Sequence, residues 1–320
     1  MKIVSKRGRK NAALFAFMRK SFIIDSNAVQ NAKTKDKKMI TLNDYLYSGD
    51  TVFRILKKYS EEVVEELLQT QSIITCNISN ECNLERPLIV VISPHLDDAV
   101  FSIGGLLTRL SMHYRIHIIT LFSIDPYSIY KDLRKDFERL QQLRLKEEMA
   151  SMSLIRATTL QMGWKDAMLR GYKNIYEPIN PEEPLEWYIN SIRDKIPESP
   201  HLILCPLGIT HVDHRLTRIL VDRINVTKVG LKTPIIYYED LPYACDGFKQ
   251  KKFYESCCFK LNDFEVNNKK KMAKIYISQL APGLITKILN HRKGQECLWY
   301  RDDNCTIDWK CNLGSSIFNG

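Results

Sequence analysis

The feature that most constrains the fold of this chain is a regular alternation of short apolar runs with longer amphipathic segments. The apolar runs predict buried strands at residues 88–92 and 201–206, and we predict further strands at 115–123, 158–162 and 234–239. The other segments predict helices at residues 98–113, 129–154, 183–195 and 213–224, and one more after residue 267. Apolar strands separated by helices favour an α/β fold with a mostly parallel sheet covered by helices on both faces.

The two ends of the chain differ in composition from this alternating part. Residues 1–40 carry eleven Lys and Arg against two Asp, a charge of +9, whereas the whole chain carries +10. We predict a basic, poorly ordered leader at 1–40 and a helical N-terminal extension at 41–85. The α/β domain is expected at 86–300, followed by a C-terminal tail at 301–320. A leader that binds nucleic acid or an anionic membrane is the alternative, but the nearly neutral remainder argues against nucleic acid as a partner.

Cysteine usage and hydropathy indicate a cytoplasmic protein. The nine cysteines are an odd number and form no Cys-x-x-Cys pair, so free thiols in a reducing compartment are expected. No apolar run reaches the ~18–20 residues of a membrane span. The apolar stretch near the N-terminus lacks a cleavage site of secretory type.

Histidine and aspartate cluster directly after two of the predicted strands. His95, Asp97 and Asp98 follow the first strand, and His211 to His214 follows the fourth. In open parallel sheets, ligands bind beyond the carboxyl ends of the strands, so the two clusters should meet at one edge. Capping of the next helix by Asp97 or Asp98 is the structural alternative.

Together, the clusters contain the side chains of a mononuclear metal hydrolase. His95, Asp98 and His214 can supply two nitrogens and one oxygen and leave a position open. Asp97 is then free to take a proton from a water whose pKa the metal lowers towards ~7. His211 can face the leaving group, and Asp213 can orient a histidine.

The motifs around these residues resemble those of the PIG-L/LmbE-type N-acetylglucosaminyl deacetylases. Ser93-Pro-His-Leu-Asp-Asp-Ala-Val-Phe-Ser-Ile-Gly-Gly105 is similar to the first motif of that family, commonly written His-Pro-Asp-Asp-Glu before a glycine-containing helix. His211-Val-Asp-His214 is similar to the second motif. Residues 238–243 and 274–279 resemble later segments of a bacterial branch, and the similarity extends over about residues 86–300.

The resemblance implies a Rossmann-like fold and a zinc ion held by His95, Asp98 and His214. It also implies Asp97 as general base and His211 as the residue that stabilises the oxyanion or protonates the amine. Iron(II) also suits two histidines and one carboxylate. Candidate substrate contacts are Arg144, Asp166, Asp240 and Tyr243.

Two positions depart from the family motif. Leu96 stands where the family has proline, which mainly stiffens the turn. Ala99 stands where it has glutamate, and this loss bears on substrate contacts rather than on metal binding. The implied ligands, base and acid are all present.

The sequence therefore predicts a zinc-dependent deacetylase. It would hydrolyse the N-acetyl group of an amino-sugar glycoside and release acetate and a free amine, for example in the biosynthesis of an aminoglycoside. The alternative is a non-catalytic, Rossmann-like protein that binds a sugar or nucleotide, with Ile103-Gly-Gly105 at a helix where a phosphate could bind.

Overall fold

The computed structural model of the protein describes residues 86–227, 233–247 and 254–301. The predicted leader at 1–40, the helical extension at 41–85 and the tail beyond residue 301 lie outside the described residues. Those assignments therefore stay predictions. Over the described ranges, no helix combines the length and the hydropathy needed to cross a bilayer.

Seven strands of the described chain form one mixed sheet. They are β1 (Leu88–Ser93), β2 (Arg115–Thr120), β3 (Thr158–Gln161), β4 (Leu202–Pro206), β5 (Ile235–Tyr238), β6 (Tyr254–Lys260) and β7 (Gln295–Arg301). Their spatial order is β3–β2–β1–β4–β5–β7–β6. The first five of this order run parallel, and β7 is antiparallel to β5 and β6. The predicted mostly parallel sheet is confirmed.

Helices cover both faces of the sheet. They are α1 (Asp98–Leu110), α2 (Lys131–Lys135), α3 (Phe137–Ser153), α4 (Leu185–Arg193), α5 (Val212–Thr227), α6 (Asp263–Ile275) and α7 (Leu284–Asn290). Successive residues of β1 point to opposite faces. Ile89 and Val91 join one apolar core with α1 and α6. Val90 and Ile92 join the other core with α4 and α5.

The strand order reverses direction between β1 and β4. From β1 the chain moves outward to β2 and β3, then returns to place β4 on the other side of β1, with Ile89 beside Leu202. Such a reversal opens a crevice at the carboxyl ends of the two central strands. Both His/Asp clusters follow these strands, so the topology brings them to one place.

The prediction of one long helix at 129–154 is wrong, because the structure has two helices there. The chain leaves helical geometry at Asp136 (φ −111°, ψ 82°) and forms α2 before it and α3 after it. The Asp136 side chain accepts a hydrogen bond from the backbone N–H of Arg139 (3.1 Å). This cap competes with continued helix at Asp136, and periodicity alone does not reveal it.

The C-terminal strands β6 and β7 were not predicted. Their antiparallel register sets Cys258 opposite Cys297, and these two residues form a disulfide across 39 residues of sequence. The expectation of free thiols is therefore wrong for this pair, because cysteine spacing does not show which strands pair. Among the described cysteines, Cys245 carries a free thiol.

The glycine pair of α1 serves packing. The helix bends at Ile103 (φ −129°, ψ 25°). Beyond the bend, the N–H groups of Gly105 and Leu106 donate to the Glu296 carboxylate of β7 (3.0 and 2.6 Å). A Cβ on Gly105 would lie 2.4 Å from the Leu261 side chain. The amides that the binding-protein alternative offered to a phosphate are thus occupied by a protein carboxylate.

Candidate metal centre

The turn after β1 fixes the first cluster through its own polar groups. Ser93 Oγ donates to the carbonyl of His95 (2.6 Å), and the N–H of His95 donates to Asp98 Oδ2 (2.9 Å). Asp97 occupies the N-cap position of α1, yet its side chain makes no capping hydrogen bond within the described structure. The helix-capping alternative therefore fails for Asp97, whose carboxylate is left available at the rim of β1.

The second cluster depends on a tight turn after β4. Gly208 has φ +82°, and a Cβ there would lie 2.9 Å from Arg218 Cβ, so this position requires glycine. Asp240, which follows β5, accepts hydrogen bonds from the N–H groups of Gly208 (2.9 Å) and Ile209 (3.0 Å). This contact holds the turn beside the start of α5, which carries His214.

His95, Asp98 and His214 converge on one point. Asp98 Oδ2 lies 3.1 Å from His95 Nδ1 and 3.1 Å from His214 Nε2. Each residue offers one ligand atom, and the three atoms lie within 4.8 Å of one another. All three side chains are buried. The three residues predicted as ligands are thus brought together in a geometry that could hold a metal ion.

The hydrogen bonding of His214 supports a metal at this point. Its Nδ1 lies 2.6 Å from Asp240 Oδ1, which fixes the ring. Its Nε2 is buried, lies 3.1 Å from Asp98 Oδ2 and makes no well-formed hydrogen bond within the described residues. A buried nitrogen without a partner costs free energy unless it binds something. Two nitrogens and one oxygen suit a catalytic divalent ion with an open position.

Asp97 lies next to this triad in a charged environment. Its Oδ1 is 3.6 Å from an Arg144 guanidinium nitrogen, and Arg144 also contacts Asp125. Burial raises the pKa of Asp97, the Arg144 guanidinium opposes that shift, and the Asp98 carboxylate adds to it. The result is a raised pKa, which makes the carboxylate a stronger base than a free aspartate.

His211 lies beside the two histidines of the triad. Its ring centroid is 5.0 Å from that of His95 and 5.2 Å from that of His214. Its Nδ1 accepts the backbone N–H of Asp213 (3.1 Å), so a neutral His211 carries its proton on Nε2. Burial lowers the pKa of His211 to about 2, and the positive charges of His95 and His214 add to this effect. The imidazole is therefore a neutral hydrogen-bond donor.

A second set of polar groups surrounds His95 on the side away from Asp98. His95 Nε2 lies 3.1 Å from Asp213 Oδ2 and 3.3 Å from Asp166 Oδ2. With His211, these residues form a second group that could hold an ion. However, its carboxylates already accept N–H bonds, Asp213 from Ala167 and Asp166 from Met168. We interpret this group as the hydrogen-bonded frame of His95.

The residues expected to contact substrate fall into two groups. Arg144, Asp166 and Asp240 are 1%, 4% and 0% exposed and are engaged by protein groups. Arg144 faces Asp97 and Asp125, Asp166 caps the short helix that starts at Ala167, and Asp240 holds His214. Each of these three groups is already paired inside the protein, and sugar contact by them stays a prediction.

Tyr243 lies beside the proposed metal site, whereas Ala99 packs in the apolar core. Tyr243 is half-buried, and its ring lies 4.9 Å from that of His214 and 5.7 Å from that of His211, so it lines the site as expected. Ala99 lies in the first turn of α1 and is fully buried in the apolar core. Asp125, which contacts Arg144, and Arg170, which contacts Asp213, were not predicted. Charge pairs between distant segments leave no local signal in the sequence.

Comparisons with known proteins agree with this geometry. Residues 90–225 match the family model described as PIG-L, GlcNAc-PI de-N-acetylase. A 2'-N-acetylparomamine deacetylase from Streptomyces fradiae is 31% identical over 172 residues, which is 50% of this chain and 59% of that protein. The chain thus matches about three fifths of the length of that relative.

Solved structures share the fold. A crystal structure of a deacetylase–bog complex in the teicoplanin biosynthesis pathway has a TM-score of 0.55 at 21% identity and covers 68% of this chain and 99% of that one. The A40926 pseudoaglycone deacetylase Dbv21 has a TM-score of 0.54 at 22% identity, covering 68% and 97%. A zinc inhibited form of teicoplanin deacetylase Orf2 has a TM-score of 0.54 at 20% identity, covering 68% and 99%.

The matched segment runs from β1 to α5 and contains both His/Asp clusters. The resemblance inferred from the sequence is confirmed: residues 90–225 of this chain are similar to the PIG-L family.

Proposed function

We propose that the protein is a metal-dependent N-deacetylase. It hydrolyses the acetamide of an N-acetylated amino-sugar glycoside and releases acetate and a free amine. The observation that carries this proposal is the open triad of His95, Asp98 and His214 beside Asp97, whose carboxylate caps no helix. The relatives named as deacetylases support the same reaction class.

Zinc is the proposed ion, and the residues fit it. His95 Nδ1, Asp98 Oδ2 and His214 Nε2 are the donor atoms, and the structure of a zinc inhibited relative supports this choice. Iron(II) accepts the same donors. A divalent ion bound there would polarise the acetamide carbonyl and acidify the attacking water.

Asp97 is proposed as the general base. Its carboxylate is next to the triad, and its raised pKa matches the acceptance of a proton at neutral pH. Asp97 takes one proton from the water as the water oxygen adds to the carbonyl carbon. When the C–N bond breaks, that proton passes to the departing nitrogen, which leaves as the amine.

His211 is proposed to stabilise the negative charge on the carbonyl oxygen. Because its Nδ1 accepts a backbone N–H, the proton on Nε2 is the one that it can donate. A neutral donor aimed at a developing oxyanion is a strong source of rate enhancement. Of the two roles implied by the family, this tautomer favours oxyanion stabilisation over protonation of the amine.

The proposed substrate is a small glycoside made in biosynthesis. The named relatives act on a paromamine derivative and on a pseudoaglycone, which supports an amino sugar attached to a larger small molecule. Tyr243, beside the two histidines, is the proposed contact for the sugar. The cytoplasmic location and the absence of a nucleic-acid partner stay predictions.

The test is acetate release from a panel of N-acetylated glycosides. The wild-type protein should release acetate, and chelation should abolish the release. Asp97→Asn should lose at least about a hundredfold in rate while it keeps its metal. The matched control is Asp132→Asn, which removes an aspartate that is 70% exposed on α2 and should leave the rate unchanged. Wild-type turnover by Asp97→Asn, or release that survives chelation, would overturn the proposal.

A further inference from the structure

Arg170 is a largely buried cation, with a side chain 11% exposed, that the proposed reaction does not use. It ends the short helix Ala167–Arg170 and is followed by Gly171 with φ +95°. Its Nη2 donates to Asp213 Oδ1 (2.6 Å), its Nε to Glu183 Oε1 (3.0 Å) and its Nη1 to the carbonyl of Lys165 (2.5 Å). Three donors used in three directions fix the guanidinium in one position.

The partner of Arg170 is the residue that orients His95. Asp213 is fully buried, and its Oδ2 lies 3.1 Å from His95 Nε2. A proton held on Nε2 by this carboxylate leaves the Nδ1 lone pair facing Asp98, where the ion is proposed to bind. A continuous chain of contacts therefore runs from Glu183 through Arg170 and Asp213 to a metal ligand.

A buried carboxylate in this position needs a compensating charge. Asp213 and Asp166 both face His95, and an unpaired buried carboxylate costs several kcal/mol. The Arg170 side chain is 11% exposed, and its guanidinium lies 4.4 Å from the Phe122 ring centroid. The aromatic ring limits the water that reaches the pair, so solvent screens the pair only weakly.

We propose that Arg170, held by Glu183, is a positioning residue for the metal: it neutralises and fixes Asp213, which in turn fixes His95. This inference rests on the proposed function, since it assumes an ion bound by His95. Residues in the outer shell of a metal site typically change metal affinity by 10–100-fold when they are removed. In this proposal Arg170 acts on the ion through Asp213 and His95.

The test measures zinc affinity by competition with a chromogenic chelator, on the full chain. Arg170→Ala should raise the zinc dissociation constant by about 10–100-fold. Arg170→Lys should recover part of this loss, because the ammonium restores the charge without the fork of donors. The matched control is Arg109→Ala, which breaks a comparable ion pair with Glu265 (2.7 Å, side chain 8% exposed) at the far end of α1. It should leave zinc affinity unchanged.

Two further measurements separate positioning from a general loss of structure. The melting temperature of the metal-free protein should fall by a similar amount in Arg170→Ala and in Arg109→Ala, whereas only the former should lose zinc affinity. If both variants bind zinc as the wild type does, Arg170 has no positioning role although the proposed function stands. If the wild type itself binds no zinc and releases no acetate, the proposed function fails together with this inference.

Discussion

The buried pair of Lys269 and Glu296 gives a prediction whose size follows from burial. The two side chains are each 2% exposed, and their charged atoms are 2.7 Å apart. Glu296 also accepts the N–H groups of Gly105 and Leu106 at the bend of α1, while Lys269 Nζ donates to the carbonyl of Ser102 (3.1 Å). The pair therefore supports the helix that begins at the metal site.

Glu296→Ala leaves a buried ammonium without its counter-charge and two amides without their acceptor. Removing one partner of a buried pair costs about 3–5 kcal/mol, so we expect a loss of at least about 3 kcal/mol in the free energy of unfolding. The matched control is Asp246→Ala. Asp246 pairs with Lys287 at the same 2.7 Å, but these side chains are 73% and 41% exposed. Such a pair contributes less than about 1 kcal/mol.

Urea unfolding followed by circular dichroism measures both variants under the same redox conditions. The double variant Lys269→Met/Glu296→Gln should lose less than the sum of its single changes, because neither charge is then left alone. A loss below about 1 kcal/mol for Glu296→Ala, or equality with Asp246→Ala, would refute this reasoning.

Three other predictions test separate parts of the site. Burial raises the pKa of Glu148 to about 7 from its ordinary 4.5, so the folded protein keeps a proton that the unfolded chain releases, and its stability falls as pH rises through this window. Glu148→Gln removes this effect, and its free energy of unfolding relative to wild type should rise by on the order of 3 kcal/mol between pH 4.5 and 7.5 in urea titrations. Asp240→Ala frees the ring of His214 and should weaken zinc binding about 10–100-fold in a chelator competition. Unchanged zinc affinity would show that Asp240 does not orient His214. Arg144→Ala should lower kcat about tenfold or more with little change in KM, because the guanidinium faces Asp97. Steady-state kinetics that show only a raised KM would instead indicate that Arg144 contacts the sugar.

The core of the fold could be predicted from the sequence because its signals are local. The strands β1 to β5 and most of the helices between them follow from hydrophobic periodicity. The meeting of His95 with His214 followed from one general rule, that parallel strands present their carboxyl ends at one edge of the sheet. The reversal of strand order between β1 and β4 satisfies that rule in the structure.

What the sequence did not reveal depends on contacts between distant segments. Arg170 and Asp213 are 43 residues apart, and neither position alone indicates a buried pair. The contacts of Asp240 with Gly208, Ile209 and His214 were likewise not predicted, since they join segments that follow two different strands. The strand β7 is defined by its pairing with β5 and β6, and its own residues show no alternating pattern that distinguishes it from the adjacent chain.

The most direct test of the proposed mechanism is zinc titration of the metal-free protein with acetate release as the readout. Activity should rise with added zinc and reach its plateau at about one equivalent per chain. Asp98→Ala and His214→Ala should stay inactive over the same range. Full activity in chelator-treated protein, or a normal titration curve in either variant, would contradict the assignment of His95, Asp98 and His214 as the ligands.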